Sequence, residues 1–399
     1  MKHKISIAVL TLAIFSGITF SASATVFKNG FSEHSLNTTP VTSILKRFFG
    51  HDEQQAKAEK VDPVEKYKED FESESELYTV TRFKVNPIKY EIKIPKVWTH
   101  TTANMGLSTD INSRLLDTLD HFQGALIVGG GRPSLSIEAI SINHEILAEH
   151  WLQNYIFKNG HASEKPIEAD NENQAQVSFI YIKNGVSYRA IVRAYIIQDR
   201  LLLIKFEAPI NINEKTLILG RLAVESFTIA SASIGSIEES KSFSFVNGLS
   251  FSFPSSWVAR NHSLRDPNKL AIEFHNVAQG ENLKGLVRVL SYRRSKEYTN
   301  DFIVNELRRQ IKKGLNLNIS QIKNSAPLSV GLAYDVAHIE MYTASRGDRP
   351  NVEYEVWLAV LGTDEWVTFI YLLTPNKDLD FYSWARNTRM LDLLIASIN

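Results

Sequence analysis

The 399-residue chain contains no cysteine. That absence excludes disulfides, thiolate metal sites, a cysteine nucleophile and a lipid-bearing cysteine behind a leader. Stability must then come from packed cores, which a 44% hydrophobic composition can supply for two domains of ordinary size. Neither sign of charge is in excess, with 44 Lys plus Arg against 44 Asp plus Glu. Bulk charge therefore steers the protein toward neither nucleic acid nor a membrane, and a charged partner has to be met by a local patch. Beyond the N-terminal run there is no long apolar stretch: Leu201-Leu-Leu-Ile-Lys-Phe206 is strand-sized and interrupted by a charge. A Gly-x-Ser-x-Gly elbow is missing. Gly129-Gly-Gly131 runs into Arg132-Pro133 and an alternating strand, which reads as a turn, whereas a phosphate loop continues into Gly-Lys-Ser/Thr.

The N-terminus has the composition of a secretory signal. Lys2 and Lys4 precede a mostly apolar run from Ile5 to Phe20, and Ala22-Ser23-Ala24 forms a small-residue cleavage site. Residues 1–24 are accordingly expected to be a signal peptide, and the protein to be periplasmic or secreted from a bacterium, with no transmembrane segment after cleavage. Residues 25–77 are polar and charged and read as a flexible arm; within it Asp62-Pro63 can start a helix, and Val41-Thr-Ser-Ile-Leu-Lys-Arg-Phe-Phe-Gly50 is its one apolar stretch.

What is present after the arm occurs twice. Tyr90-Glu-Ile-Lys-Ile-Pro-Lys-Val-Trp98 is answered by Leu249-Ser-Phe-Ser-Phe-Pro-Ser-Ser-Trp257, an alternating strand closed by Pro-x-x-Trp. In the first half, strands over 124–128 and 135–142 are joined through the glycine turn. A helix from Ser141 with Leu147, Trp151 and Tyr155 on one stripe is stopped by Asn159-Gly160, and strands at 175–182, 186–197 and 200–208 lead to a closing helix. The second half repeats the order: strands at 270–274 and 286–292, a helix over 299–313, strands at 333–342, 352–360 and 366–373, and a helix from 381 to 395. Val186–Pro209 lies on Val352–Pro375 without a gap, sharing Val186/Val352, Tyr188/Tyr354, Ile204/Ile370 and Pro209/Pro375. The reading is α+β, twice: two similar domains at 78–230 and 243–399, each a mostly antiparallel sheet packed with helices, separated by a linker at 231–242. Long apolar strands such as Leu201–Phe206 place the middle of each sheet under cover on both faces.

Phe251-Ser-Phe-Pro-Ser-Ser-Trp257, the meander around Tyr354 and the closing segment Phe381–Ser397 together resemble the PsbP-like fold, and Ile92–Trp98 with Tyr188 carries the likeness in the first domain. That group includes the extrinsic PsbP subunits of photosystem II, the Ran-binding Mog proteins and small exported bacterial proteins. The resemblance implies a non-catalytic binding or assembly role and brings no ligand residues with it; the tandem arrangement and charged arm depart from the single-domain members.

Few residues carry a chemical suggestion. His144-Glu145 and Glu149-His150 do not form a zincin motif, because that motif needs histidines four apart on one helix face and these are six apart. Glu238-Glu239, Asp378 and Asp380 read as solvated charges in linkers and turns. The helix from Thr299 to Lys313 carries Arg308 with Lys312 and Arg309 with Lys313 as i,i+4 neighbours opposite Ile303, Leu307 and Ile311, with Arg293 and Arg294 just upstream. These six form the candidate partner-binding patch, for an acidic protein surface, phospholipid headgroups or a glycan. No catalytic residue, metal ligand or cofactor is assigned. The expected function is an exported, non-enzymatic binding or structural subunit of an envelope assembly such as a secretion or surface apparatus; a module binding a lipid or small ligand, and a hydrolase assembled in space, are the other two readings.

Overall fold

The computed structural model describes residues 63–102, 116–127, 130–232, 236–246, 249–262, 268–277, 283–295, 299–315, 317–328, 336–346 and 349–398. The expected signal peptide, the apolar stretch at 41–50 and Gly129 lie outside these residues.

The first domain holds a long antiparallel sheet whose strands run in the order β3 (Thr99–Thr102), β4 (Asp117–Gln123), β5 (Ser134–Ser141), β10 (Arg200–Pro209), β9 (Val186–Ile197), β8 (Gln174–Lys183) and β6 (Ala162–Ser163), with β7 (Glu168–Asn171) also on β8. A small sheet of β1 (Ser75–Arg82), β2 (Ile88–Pro95) and β11 (Thr228–Ala232) stands beside it. The second domain repeats this with β12 (Ser240–Ser244) on β13 (Ser250–Pro254), and a sheet ordered β14 (Val258–His262), β15 (Lys269–Val277), β16 (Leu283–Arg293), β20 (Trp366–Pro375), β19 (Arg349–Gly362), β18 (Val336–Arg346) and β17 (Leu317–Pro327).

Register makes the repeat quantitative. Tyr188 faces Pro209 across β9 and β10, and Tyr354 faces Pro375 across β19 and β20; Arg193 faces Ile204 as Ala359 faces Ile370. The gap-free sequence match is thus a match of hydrogen-bond register. Both Pro-x-x-Trp segments make the same turn, Trp98 N–H to Pro95 O at 2.9 Å and Trp257 N–H to Pro254 O at 3.1 Å. Asn184, Gly185 and Gln198 adopt positive φ in the tight turns of the first meander, which Asn-Gly tolerates at little steric cost.

Helices cover both faces. Short α1 (Pro63–Lys66) and α2 (Lys68–Glu74) precede β1; α3 (Ala148–Lys158) and α4 (Glu214–Glu225) belong to the first domain, α5 (Asn300–Leu315) and α6 (Phe381–Ala396) to the second. Side chains fix three of the starts: Asn213 accepts from Thr216 N–H at 2.9 Å, Thr299 from Phe302 N–H at 3.3 Å, and Asp380 from Ser383 N–H at 3.1 Å. In layer order the molecule reads α4, first sheet, α3 against α6, second sheet, α5. One continuous hydrophobic cluster runs through the α3–α6 contact, from Val192 and Leu203 of the first sheet to Trp357 and Leu372 of the second, so the two repeats share a core. Leu202 and Ile204 face α4 while Leu201 and Leu203 face α3, as expected for strands buried on both sides.

Four expectations need correction. Residues 63–77, read as part of a flexible arm, are ordered structure: Phe71 is buried against α4, Lys215 pairs with Asp70 at 2.9 Å and Glu74 at 2.8 Å, and β1 begins at Ser75. The strand expected at 124–128 lies earlier, at Asp117–Gln123, because an inward carboxylate at Asp120 disguises its alternation. The helix expected from Ser141 begins at Ala148, since Ile142 and Ile146 are buried in irregular chain and the Ile142 N–H bonds Asp199 O at 2.7 Å. Glu238 is no solvated linker charge: it accepts from Glu145 N–H of the first domain at 3.0 Å and Ser256 N–H of the second at 2.7 Å, joining the two.

Close approach of α4 to the sheet depends on Gly220, where an added Cβ would lie 2.3 Å from the Phe206 ring. Gly220→Ala is expected to cost about 1–3 kcal/mol through overpacking, despite the helix propensity gained, and a lower urea midpoint with unchanged m-value would show it.

Candidate functional site

On the α3 side of the first sheet the alternation that buries Leu201 and Leu203 continues to Lys205 and Glu207. Across β5 the same face carries Ser134, Ser136 and Glu138, and across β4 it carries His121. The helix covers the apolar end of this face; the charged residues lie toward the other end. Lys205 Nζ stands 3.1 Å from Glu138 and 3.6 Å from Glu207. Lys183 Nζ reaches Glu207 at 2.6 Å, Ser136 donates to Glu138 at 2.6 Å, Ser134 to Glu207 at 3.3 Å, and Tyr181 O–H donates to Glu207. Two ammonium groups thus balance two carboxylates.

The electrostatics are coupled. Burial works against the charge on Lys205, yet Glu138 and Glu207 raise its pKa above the ordinary lysine value. Burial likewise opposes ionisation of Glu207, but Lys205 and the hydrogen bonds from Lys183 and Tyr181 prevail and hold it at about 2. Burial lowers the pKa of His121. A Glu207 carboxylate kept ionised cannot donate a proton near neutral pH, so the cluster is equipped for holding polar groups rather than for general acid work. Next to it runs a chain of touching rings: Tyr155 against Phe179, Phe179 stacked on His161 at 4.5 Å, His161 beside Tyr181 at 5.1 Å, and Tyr181 beside Tyr188 at 5.9 Å.

The second domain fills the same positions differently. By register Lys205 corresponds to Tyr371, Glu207 to Leu373, Glu138 to Leu290 and Ser136 to Arg288. There the space under α5 is a shallow hollow with room for little more than a water molecule, lined by Leu307, Ile311, Val356 and Leu358 together with Arg308, Tyr342 and Tyr371, and Arg288 on the same face pairs with Glu273 at 3.2 Å.

The basic patch expected on α5 is present but partly spent. Leu307 and Ile311 face the sheet, and Arg308, Arg309, Lys312 and Lys313 are exposed. Arg309 is engaged by Glu306 through Nε at 2.7 Å, and Arg308 lies over the Tyr342 ring and donates to its hydroxyl at 3.3 Å. Arg293 and Arg294 sit at the end of β16, where Arg294 N–H bonds Glu365 O at 2.7 Å, and Arg293 is exposed.

Two further clusters escaped sequence reasoning. Asp120 is fully buried between the small and large sheets and accepts from Arg82, Tyr78 at 2.9 Å, Tyr90 and His100 at 2.9 Å. Burial and the neighbouring carboxylate push Tyr78 up to about 12 and raise Tyr90 further. At the α3–α6 contact, Arg389 forks onto Glu172 at 3.0 and 2.7 Å, and His150 packs edge-on against Trp384 and Phe381. His144 and His150 flank the start of α3 rather than sharing a metal-binding face, and among the described residues no group of His, Asp and Glu is placed to hold a metal ion. No helix among those residues is long and apolar enough to cross a membrane.

No family model and no curated protein matches the chain. Solved structures do. A protein from Bacteroides thetaiotaomicron is similar at 15% identity over 40% of this chain and 47% of its own, with a TM-score of 0.24, so the chain spans about half of that protein's length. Cyanobacterial PsbP from Synechocystis is similar at 12% identity over 40% of this chain and 95% of its own, with a TM-score of 0.29. LpqN of Mycobacterium tuberculosis, involved in cell envelope biogenesis there, is similar at 11% identity over 39% and 91%, with a TM-score of 0.28. The PsbP likeness noted in the sequence recurs among these solved structures as a likeness of fold.

Proposed function

We propose that the protein is an exported, non-catalytic binding or structural subunit of a bacterial envelope assembly, working through protein–protein contacts. The observation that carries the reading is the way this fold joins its own halves: α3, the first helix of one repeat, docks on α6 of the other. In the second repeat α5 holds the place of α3, and it turns Phe302, Asn305, Arg308, Arg309, Lys312 and Lys313 outward. A docking helix with an exposed basic face suits an acidic protein surface. The leader-like N-terminus supports the envelope address.

In-cell cross-linking with mass spectrometry tests this, comparing the native protein with Arg308→Glu/Arg309→Glu/Lys312→Glu/Lys313→Glu. Envelope proteins recovered with the native chain are expected to fall about tenfold or more with the variant, since like charges brought together across an interface cost several kcal/mol. Recovery of the protein alone at native abundance removes the assembly reading, and undiminished partners in the variant remove α5 as the contact.

A further inference from the structure

We propose that the first domain binds a saccharide on the sheet face formed by Glu138, Lys205, Glu207, Lys183 and Tyr181, beside the rings of Tyr155 and His161. The fold itself does not call for this set, because the second domain builds the same strands in the same register with Leu290, Tyr371 and Leu373 at the positions of Glu138, Lys205 and Glu207, its own ion pair on that face being Arg288 with Glu273 at 3.2 Å, elsewhere in the register. Buried ion pairs seldom add stability over apolar side chains of similar volume, so an ammonium between two carboxylates at these three positions in one copy alone points to a ligand.

The charges define what that ligand is. Lys205 and Lys183 against Glu138 and Glu207 sum to zero. A metal cation would meet the Lys205 ammonium, and a phosphate or carboxylate would meet two glutamates, so the face favours an uncharged molecule. It also offers strong acceptors and strong donors side by side, which suits hydroxyl groups, each able to donate and accept. The rings of Tyr155, His161 and Tyr181, linked through the buried Phe179, supply an apolar wall of the kind that packs against the C–H face of a sugar ring. Lys183 is exposed, and Tyr155, His161 and Tyr181 are partly so, which leaves the face approachable from that side.

The test uses the full chain with maltotriose, cellotriose and chitotriose as probes, followed by saturation-transfer NMR and calorimetry. At least one trisaccharide is expected to bind saturably in the millimolar range or tighter. Lys205→Met is the direct variant; because it strands two buried carboxylates, Tyr181→Phe and Lys183→Ala, which keep the ring wall and the Lys205 pairs, are measured beside it. Lys183→Ala is expected to weaken binding about tenfold, the value of one charge-assisted hydrogen bond, and Tyr181→Phe about fivefold, the value of a neutral one, with the unfolding midpoint checked for each. Arg309→Ala on α5 should leave affinity unchanged, which separates this site from the docking helix. No saturable binding of any of the three probes, or affinity undiminished in both Tyr181→Phe and Lys183→Ala, overturns the proposal.

Discussion

Asp120→Ala is expected to lose about 3–5 kcal/mol of folding stability, a large part of the total for a domain of this size. The carboxylate has no exposed surface and gathers Arg82 and Tyr78 from β1, Tyr90 from β2 and His100 from β3. It fastens the small sheet to the large one. Removing it leaves a guanidinium and a buried phenol without their acceptor, and that loss exceeds the few methylene groups deleted. Equilibrium unfolding in urea reads the effect, and a cycle with Arg82→Met apportions it. A single-mutant loss below about 1 kcal/mol would falsify the assignment of Asp120 as the joint between the sheets. Because the carboxylate is fully paired by groups from three strands, its role is structural even though histidine and tyrosine stand around it.

Acid should loosen the shared core. Burial first, then Lys377 and Arg389, depress His150 from 6.5 to about 4; burial and Arg386 depress His144 to about 3. Their Nδ1 atoms have no hydrogen-bond partner among the described residues. Both histidines are thus neutral in the folded protein, while the unfolded chain takes up protons below pH 6.5. Their contribution is complete above that value and declines as pH falls through the window down to about 4. His150 alone accounts for roughly 3 kcal/mol across it, at about 1.4 kcal/mol per unit. Glu145 opposes part of the loss, because burial raises its carboxyl and the folded chain binds that proton first. Glu207, held at about 2, adds a further decline below its ordinary 4.5. The urea midpoint followed from neutral pH to about 4.5 is expected to drop steeply, and His150→Phe to flatten the curve by removing one titrating group. A curve identical in the two proteins contradicts the assignment.

The legible parts of this molecule were those governed by neighbours in sequence. Asn184-Gly185 and Gln198-Asp199 mark the meander turns by local backbone preference, and strands expected at 186–197 and 200–208 are found at Val186–Ile197 and Arg200–Pro209. The stop at Asn159-Gly160 and the closing helix after Asp380 were legible for the same reason. Illegible parts were those whose residues answer to distant partners. β1 looks like charged arm until β2 pairs with it, and β17, polar along much of its length, is a strand because β18 lies beside it. The strand containing Asp120 fails the alternation rule locally and satisfies it only once Arg82 and Tyr90 arrive from elsewhere in the chain.

The candidate site shows the same division. Lys205 was visible as the charge interrupting Leu201–Phe206, and that interruption served only to exclude a membrane span; its position in a strand buried on both faces was the available signal of a site. Nothing local pairs it with Glu138 on β5 or Lys183 on β8. The basic residues of α5 were found through i,i+4 spacing, while the contact of Arg308 with Tyr342 of β18 was not. By itself the sequence determined that there are two copies of one α+β unit, where their turns and helix stops fall, and that no cysteine holds them. Those properties follow from side-chain period and backbone preference over a few residues. Only the tertiary structure decided that the copies share one core through α3 and α6, that Glu238 joins them, and that one sheet face carries Glu138, Lys205 and Glu207 where its twin carries Leu290, Tyr371 and Leu373. Each of these depends on which strands lie side by side, and that pairing is set by burial of the whole chain rather than by any segment of it.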